Sequence, residues 1–290
     1  MPGQLECPMS GTNIDADLLY YSRGEDNSSY RPVLTGDVYE NLLLPGSTGT
    51  ERNRTVIILQ HPCSMRTNGV DLVWHILAAE VTKHKPLTPQ EWAGGNFRLM
   101  PLPDLYPEVT SGKRDQAANF VNLYTLTPTQ LESATRVASL SEFGINLLLQ
   151  RWVHYSARVI VPTFQFQEAT AGFCMEADLL EEWCEALSDG DSPQAIHEAG
   201  TECMTWLRED RGGYTYQGML QDSQTRSAVD DLAGVLVHKA PARFGPADVV
   251  SVLRLMPDVE WPGFDRHDPP PCFCPPMGAP CAPRWRRPGT

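Results

Sequence analysis

Two arginines stand directly before an apolar run near the start of the chain's central region. Arg52 and Arg54 precede Thr55–Leu59, a run of β-branched and aliphatic residues that is too short for a solitary helix and typical of a buried strand. The planar guanidinium of an arginine can hold a phosphate through two hydrogen bonds and can stabilise charge that develops on a phosphoryl group. The pair therefore indicates a phosphate-binding site at the entrance of a strand, unless both arginines are surface loop residues beside Glu51.

Four side chains that can do chemistry follow the same run: His61, Cys63, Ser64 and Arg66. Pro62 ends the strand because it has no N–H to donate to a ladder, and loops at strand ends often carry sites. A histidine that works with a phosphate-binding arginine suits general acid–base catalysis. A metal site at His61 and Cys63 would need further ligands, and a purely structural turn is the third interpretation. The spacing does not fit a cysteine-phosphatase loop.

A second candidate pair lies on the predicted strand Val73–Thr82. Glu80 and Thr82 are two residues apart, so they share one face of a strand. A carboxylate and a hydroxyl that face one groove could position or deprotonate a ribose 2′-hydroxyl, and the alternative is the solvent side of an ordinary strand. The catalytic candidates are Arg54, Thr82 and His61. The substrate-binding candidates are Arg52, Ser64, Arg66 and Glu80.

The charge of the chain is unevenly distributed. The net charge of −13 over 290 residues argues against a broadly basic nucleic-acid binder. Residues 31–167 nevertheless hold 12 Lys and Arg against 11 Asp and Glu, whereas residues 1–30 contribute −4 and residues 168–290 contribute −10. The acidity therefore belongs to the flanks, and the nearly neutral central part can carry a local basic patch.

Several classes of protein have no support in the sequence. The chain contains no apolar run of about 18 residues and no signal peptide, so we expect a cytoplasmic protein that does not span a membrane. The eight cysteines are irregularly spaced, and we expect reduced thiols, of which Cys174, Cys184 and Cys203 are small core residues. The common nucleotide-, dinucleotide- and zinc-binding motifs are absent. We expect no metal and no other cofactor.

The hydrophobic pattern predicts an α+β fold. Strands are expected at Val38–Leu44, Thr55–Gln60, Val73–Thr82, Phe97–Leu102 and Phe120–Thr125. Short strands with turn signals and little helix between them predict a small, strongly bent sheet or a barrel. Ser141 is a fair N-cap for a helix that ends before Pro162 and covers the sheet with its apolar stripe. The alternative for the end of this segment is a strand at Arg158–Phe166.

Composition divides the chain into four parts. Residues 1–30 have few apolar residues and predict a flexible arm, and residues 31–167 form the barrel-like β domain. Residues 168–256 show helical periodicity and predict a small acidic helical domain, in which Ser192-Pro193 opens one helix. Residues 257–290 are dominated by Pro, Gly, Cys and Arg and predict a disordered tail.

The central stretch resembles the PemK/MazF-like toxin family, whose members are small SH3-like barrels. Three segments carry the resemblance: Gly36-Asp37-Val38-Tyr39, Pro45-Gly46-Ser47-Thr48-Gly49 and Arg54-Thr55-Val56-Ile57-Ile58-Leu59. They match the family's Gly-Asp before a strand, its Gly-containing loop and its arginine before a strand of Val, Ile and Leu. The family usually has Arg-Pro where this chain has Arg54-Thr55, and the match covers about residues 35–82.

The resemblance implies a metal-independent endoribonuclease that cuts single-stranded RNA, in which Arg54 and Thr82 supply the chemistry. A base would activate the 2′-hydroxyl for attack on the adjacent phosphorus while Arg54 stabilises the added negative charge. The alternative is a non-catalytic interaction or regulatory protein that uses the barrel as a scaffold and the acidic helices for a partner. The partners expected under these interpretations are single-stranded RNA, an antitoxin or another protein, or a second copy of the chain.

Overall fold

Strands dominate the first half of the molecule and helices the second half. The computed structural model describes residues 4–46, 49–94, 97–108, 115–188 and 190–239. The strands in these segments are β1 (Met9–Ser10), β2 (Asn13–Ile14), β3 (Tyr20–Arg23), β4 (Val38–Pro45), β5 (Glu51–Ile58), β6 (Ile76–Lys83), β7 (Leu99–Leu102), β8 (Gln116–Leu126) and β9 (Thr135–Leu140). The α-helices are α1 (Pro62–Met65), α2 (Pro89–Gly94), α3 (Pro128–Glu132), α4 (Glu142–Ala157), α5 (Phe164–Leu187), α6 (Pro193–Arg208), α7 (Tyr216–Gln221) and α8 (Arg226–Lys239).

Seven of these strands form one antiparallel sheet in the order β3-β9-β4-β5-β6-β8-β7. The sheet curls into a half-barrel, which confirms the predicted α+β fold with a small bent sheet. β5 lies at its centre and pairs with β4 on one side and β6 on the other. Because β5 is buried on both faces towards its end, Val56, Ile57 and Ile58 are all inaccessible to solvent.

The two faces of the sheet bury different sets of side chains. One face, which includes Ile57, Ala79 and Phe120, packs against α4 and forms the larger core. The other face, which includes Val56 and Ile58, packs against α1 and α3. Side chains alternate between these faces along each strand, so neighbouring residues of β5 serve different cores.

Helix α4 begins where the sequence predicts. The Ser141 side chain accepts a hydrogen bond from the Gly144 N–H at 3.0 Å, and Ile145 and Leu148 enter the larger core. The helix ends at Arg158, whose left-handed backbone (φ 59°) stops it four residues before Pro162. The alternative of a strand at Arg158–Phe166 is wrong, since α5 begins at Phe164.

The helical part has its own core around the fully buried Trp183 of α5. Helix α6 begins as predicted, with Ser192 as N-cap and Pro193 in the first turn. Cys174, Cys184 and Cys203 are buried, as expected. The expected boundary between residues 167 and 168 falls inside α5, because the first half of this helix packs on α4 and the second half on α6.

Residues 4–30 do not form the flexible arm that was predicted. Leu5, Leu19 and Tyr20 are buried, and β3 joins the sheet beside β9. Two 3₁₀ turns, at Ala16–Leu19 and Gly24–Asp26, complete this segment. The few apolar residues of this segment are therefore enough to hold it on the sheet, because the rest of the chain supplies the apolar surface that they pack against.

The stretches between the predicted strands also contain regular structure. Residues 83–96 include α2, and β8 begins at Gln116 within the segment 103–119. β6 begins at Ile76 rather than Val73. The last part of the predicted helical domain, residues 240–256, and the predicted tail 257–290 lie outside the described residues. No helix in the described segments is long and apolar enough to cross a membrane.

Candidate functional site at the start of β5

Arg54 is held in place by a carboxylate on the neighbouring strand. It lies opposite Leu42 of β4, and its guanidinium donates a hydrogen bond to Glu80 Oε1 of β6 in a close ion pair. The Arg54 side chain is 23 % exposed and that of Glu80 only 6 %. A pair with one partner this buried is screened less by solvent than an ordinary surface pair.

The other oxygen of Glu80 is also engaged. Asn122 Nδ2 donates to Glu80 Oε2 at 2.6 Å. This contact depends on an irregularity in β8: Ala79 pairs with Leu123 and Glu80 pairs with Asn119, so Phe120–Asn122 have no partners on β6. Such a bulge re-aims side chains and here brings the amide to the carboxylate. Asn122 was not among the predicted site residues, since nothing local in the sequence marks the bulge.

Thr82 lies on the same face of the sheet as Arg54. Thr55 pairs with Val81 and Val56 with Glu80, so extending this register by one residue sets Arg54 opposite Thr82. Side chains of directly opposed residues have Cβ atoms about 5 Å apart. The structure therefore brings Arg54, Glu80 and Thr82 together. On the other side of β6, Thr82 pairs with Ala117 of β8.

Gly46, which follows β4, packs closely on the Arg54 guanidinium. A methyl group at Gly46 would lie 2.8 Å from Arg54 Nη2, so the absence of a side chain there makes room for the arginine. Arg54 Nε is buried and has no hydrogen-bond partner among the described residues. The guanidinium thus retains an unused donor next to its pair with Glu80.

His61, Ser64 and Arg66 do not reach this site. They follow the far end of β5: the four strand steps from Arg54 to Ile58 alone span about 13 Å, and His61 lies three residues beyond Ile58. His61 caps α1 and its ring packs edge-on against Phe173 of α5, with ring centroids 5.0 Å apart. Burial lowers the pKa of His61 below its ordinary value, which favours the neutral ring.

Ser64 and Arg66 make local and interfacial contacts instead. Ser64 Oγ donates to the His61 carbonyl oxygen at 2.9 Å. Arg66 donates to the Val33 carbonyl oxygen, and burial lowers the pKa of its guanidinium although the nearby Glu176 opposes this effect. Arg52 lies on β5 opposite Leu44 and is exposed. Of the four predicted substrate-binding residues, the structure thus places only Arg52 and Glu80 on the strands that carry Arg54 and Thr82.

An open cleft of about 500 Å³ lies beside the same end of β5 and was not predicted. Thr55, Glu40, Lys83 and Tyr106 are among the residues that line it, and Tyr106 donates to Glu40 Oε2 at 3.4 Å. Burial raises the pKa of Tyr106, so its hydroxyl stays protonated. Because Thr55 follows Arg54 directly, the cleft and the Arg54 site lie on opposite faces of the sheet.

Within the described segments, no group of three or more His, Cys, Asp or Glu side chains is arranged to hold a metal ion. Comparison with models of known protein families and with curated proteins finds no match for this chain. The arrangement of Arg54, Glu80, Thr82 and Asn122 therefore has to be interpreted from its own chemistry: a cation, a carboxylate, a hydroxyl and an amide on the neighbouring strands β5, β6 and β8.

Proposed function

We propose that the protein is a metal-independent endoribonuclease of the PemK/MazF-like type that acts on single-stranded RNA. The observation that supports this most is the register of β5 and β6, which extends to set Arg54 opposite Thr82, with Glu80 two residues before Thr82 on the same face. This is the arrangement that the resemblance of the sequence implies, a guanidinium and a hydroxyl on adjacent strands. The chemistry needs only a base and a charge-stabilising cation.

The resting ion pair defines a first step. The Arg54 side chain is 23 % exposed, and an RNA phosphate that binds it competes with Glu80 for the guanidinium. Displacement leaves Glu80 Oε1 free to accept a proton, while Asn122 keeps Oε2 in position. Substrate binding thereby creates the base that the reaction requires.

The reaction is a transesterification. Glu80 takes the proton of the ribose 2′-hydroxyl, and the 2′-oxygen forms a bond to phosphorus. The bond from phosphorus to the 5′-oxygen breaks, and that oxygen takes a proton from water. The hydroxide that remains takes the proton from Glu80, which restores the carboxylate. The products are a 2′,3′-cyclic phosphate and a free 5′-hydroxyl. Arg54 stabilises the negative charge on the phosphorane, and the Thr82 hydroxyl donates to one of its oxygens.

The test is a cleavage assay with the purified full chain, a fluorescent single-stranded RNA and EDTA. Arg54→Ala should slow cleavage by about 10²–10³-fold, the usual cost of removing one charge-stabilising contact. Arg98→Ala, which removes the same charge from an exposed arginine before β7, is the matched control and should leave the rate unchanged. Absence of cleavage by the full chain, or equal rates for both variants, would refute the proposal.

A second function is favoured by one observation, the closed Arg54–Glu80 pair. If no phosphate displaces Glu80, the pair is only a structural contact of a scaffold, and the acidic flanks bind a basic protein partner. In that case RNA is neither bound nor cut, and a partner captured by the chain should dissociate as the salt concentration rises. The same RNA assay separates the two functions.

A further inference from the structure

The turn after β5 places a cysteine beside a histidine. Cys63 is exposed and lies in the first turn of α1, and its Sγ is 3.1 Å from His61 Nδ1. At this distance the thiol proton can pass to the ring nitrogen. Neither residue takes part in the Arg54 site, so this pair is independent of the proposed ribonuclease.

The contacts of His61 identify which ring nitrogen accepts. Nδ1 accepts the backbone N–H of Cys63 at 3.4 Å, so it carries the lone pair. Burial lowers the pKa of His61 and so favours the neutral ring, whose Nδ1 can accept a proton from the thiol 3.1 Å away. The edge contact with Phe173 holds the ring in this orientation. His61 is thus a neutral base, held from its far side by α5 and presented to the thiol.

The other cysteines in the described segments lack these features. Burial raises the pKa of Cys174 to about 12 and that of Cys184 to about 11, and Cys203 is fully buried. Cys7 is half-buried, and burial raises the pKa of its thiol too. Among the described cysteines, Cys63 therefore has the thiol that is most accessible to a reagent in solution, and it lies beside a base.

We propose that Cys63 is a nucleophilic thiol, activated by His61, that forms mixed disulfides with low-molecular-weight disulfides. His61 Nδ1 takes the thiol proton, and the Cys63 sulfur attacks one sulfur of the disulfide. The sulfur–sulfur bond breaks, and the departing thiolate takes the proton from His61. One disulfide and one thiol are consumed, and one mixed disulfide and one thiol result, so no further oxidant is needed.

This reaction would give a function to the His61–Ser64 segment, none of whose residues takes part in the ribonuclease mechanism. The mixed disulfide would form at the contact between the end of β5 and α5, where His61 meets Phe173. The chemical class of its ligand is a small disulfide of the glutathione kind.

The experiment uses the folded full chain with glutathione disulfide as one probe and iodoacetamide as the other, near pH 7. Mass spectrometry of peptides follows Cys63, with Cys7 as the internal reference in the same sample. An ordinary cysteine is only a few per cent thiolate at this pH, so activation should make Cys63 react about tenfold faster than a cysteinyl model peptide. A rate equal to that of the peptide would overturn the proposal.

His61→Asn is the matched variant, because asparagine is a good N-cap that can still accept the Cys63 N–H but is not a base. It should reduce the rate at Cys63 about tenfold and leave Cys7 unchanged. An unchanged rate at Cys63 would remove His61 from the mechanism and refute the proposal. If the variant does not fold, the comparison of wild-type Cys63 with the model peptide still decides the outcome.

Discussion

Gly144, in the first turn of α4, allows the N-terminal segment to approach the helix closely. A methyl group at this position would overlap the Leu19 carbonyl oxygen and would lie 3.1 Å from Leu140 Cβ. The same Leu19 oxygen accepts the Ser141 N–H at 2.9 Å, and Ser141 Oγ donates to the Leu18 carbonyl oxygen at 2.7 Å. Gly144→Ala therefore pushes the Leu18–Leu19 backbone away from the first turn of α4 and weakens its hydrogen bonds with Ser141.

The expected cost follows from these contacts. Overpacking of this kind costs about 1–3 kcal/mol, and loosening the two hydrogen bonds adds about 1 kcal/mol each. The higher helix propensity of alanine returns about 1 kcal/mol. We expect Gly144→Ala to lower the free energy of unfolding by about 2–4 kcal/mol.

Gly200, inside α6, is the matched control. A methyl group there would meet Cys184 Sγ at 3.7 Å, an ordinary van der Waals contact. Gly200→Ala should be neutral or stabilising by up to about 1 kcal/mol. Urea denaturation of both variants, followed by far-UV circular dichroism, measures the difference. If the two variants shift the transition equally, the close approach at Leu19 does not carry the predicted strain and the reasoning fails.

Two further predictions concern buried charge and pH. The Arg31 side chain is 3 % exposed and donates to Asp178 Oδ1 at 2.6 Å and to Glu181 Oε2 at 2.8 Å. Arg31→Met leaves these carboxylates without their partner and should lower the free energy of unfolding by about 3 kcal/mol, as measured by urea denaturation. A loss below about 1 kcal/mol would show that the two ion pairs do not stabilise the fold. The folded-state pKa of His61 is below its ordinary value of 6.5, so the folded protein binds this proton less readily than the unfolded chain does. The stability of the wild type relative to His61→Asn should therefore be constant above about pH 7 and should fall as the pH decreases below 6.5. Urea denaturation of both proteins at several pH values measures this. A difference between their midpoints that does not change with pH would contradict the prediction.

Local signals predicted the starts of two long helices correctly. Ser141 and Ser192-Pro193 cap α4 and α6 as expected, because capping depends on residues that are close in the sequence. The N-terminal arm was mispredicted for the opposite reason. Leu19 and Tyr20 are buried only because β3 pairs with β9, a contact that no local pattern reveals.

The candidate site was predictable in part. Glu80 and Thr82 share a face through the two-residue period of a strand, and this was read correctly from the sequence. The partner of Glu80 on β8 depends on a bulge, so Asn122 was missed. The predicted grouping of His61 with Arg54 did not allow for the length of the strand between them, since the part of β5 from Arg54 to Ile58 already spans about 13 Å.

The place of β9 between β3 and β4 has a consequence for synthesis on the ribosome. β4, β5 and β6 can pair as each leaves the ribosome. β3 cannot pair until β9 has been translated, because Tyr20 of β3 pairs with Leu140 of β9. During that interval the nascent N-terminus exposes apolar side chains that a chaperone can bind. The strand of this sheet that is translated last, β9, is thus the one that attaches β3 to the other strands.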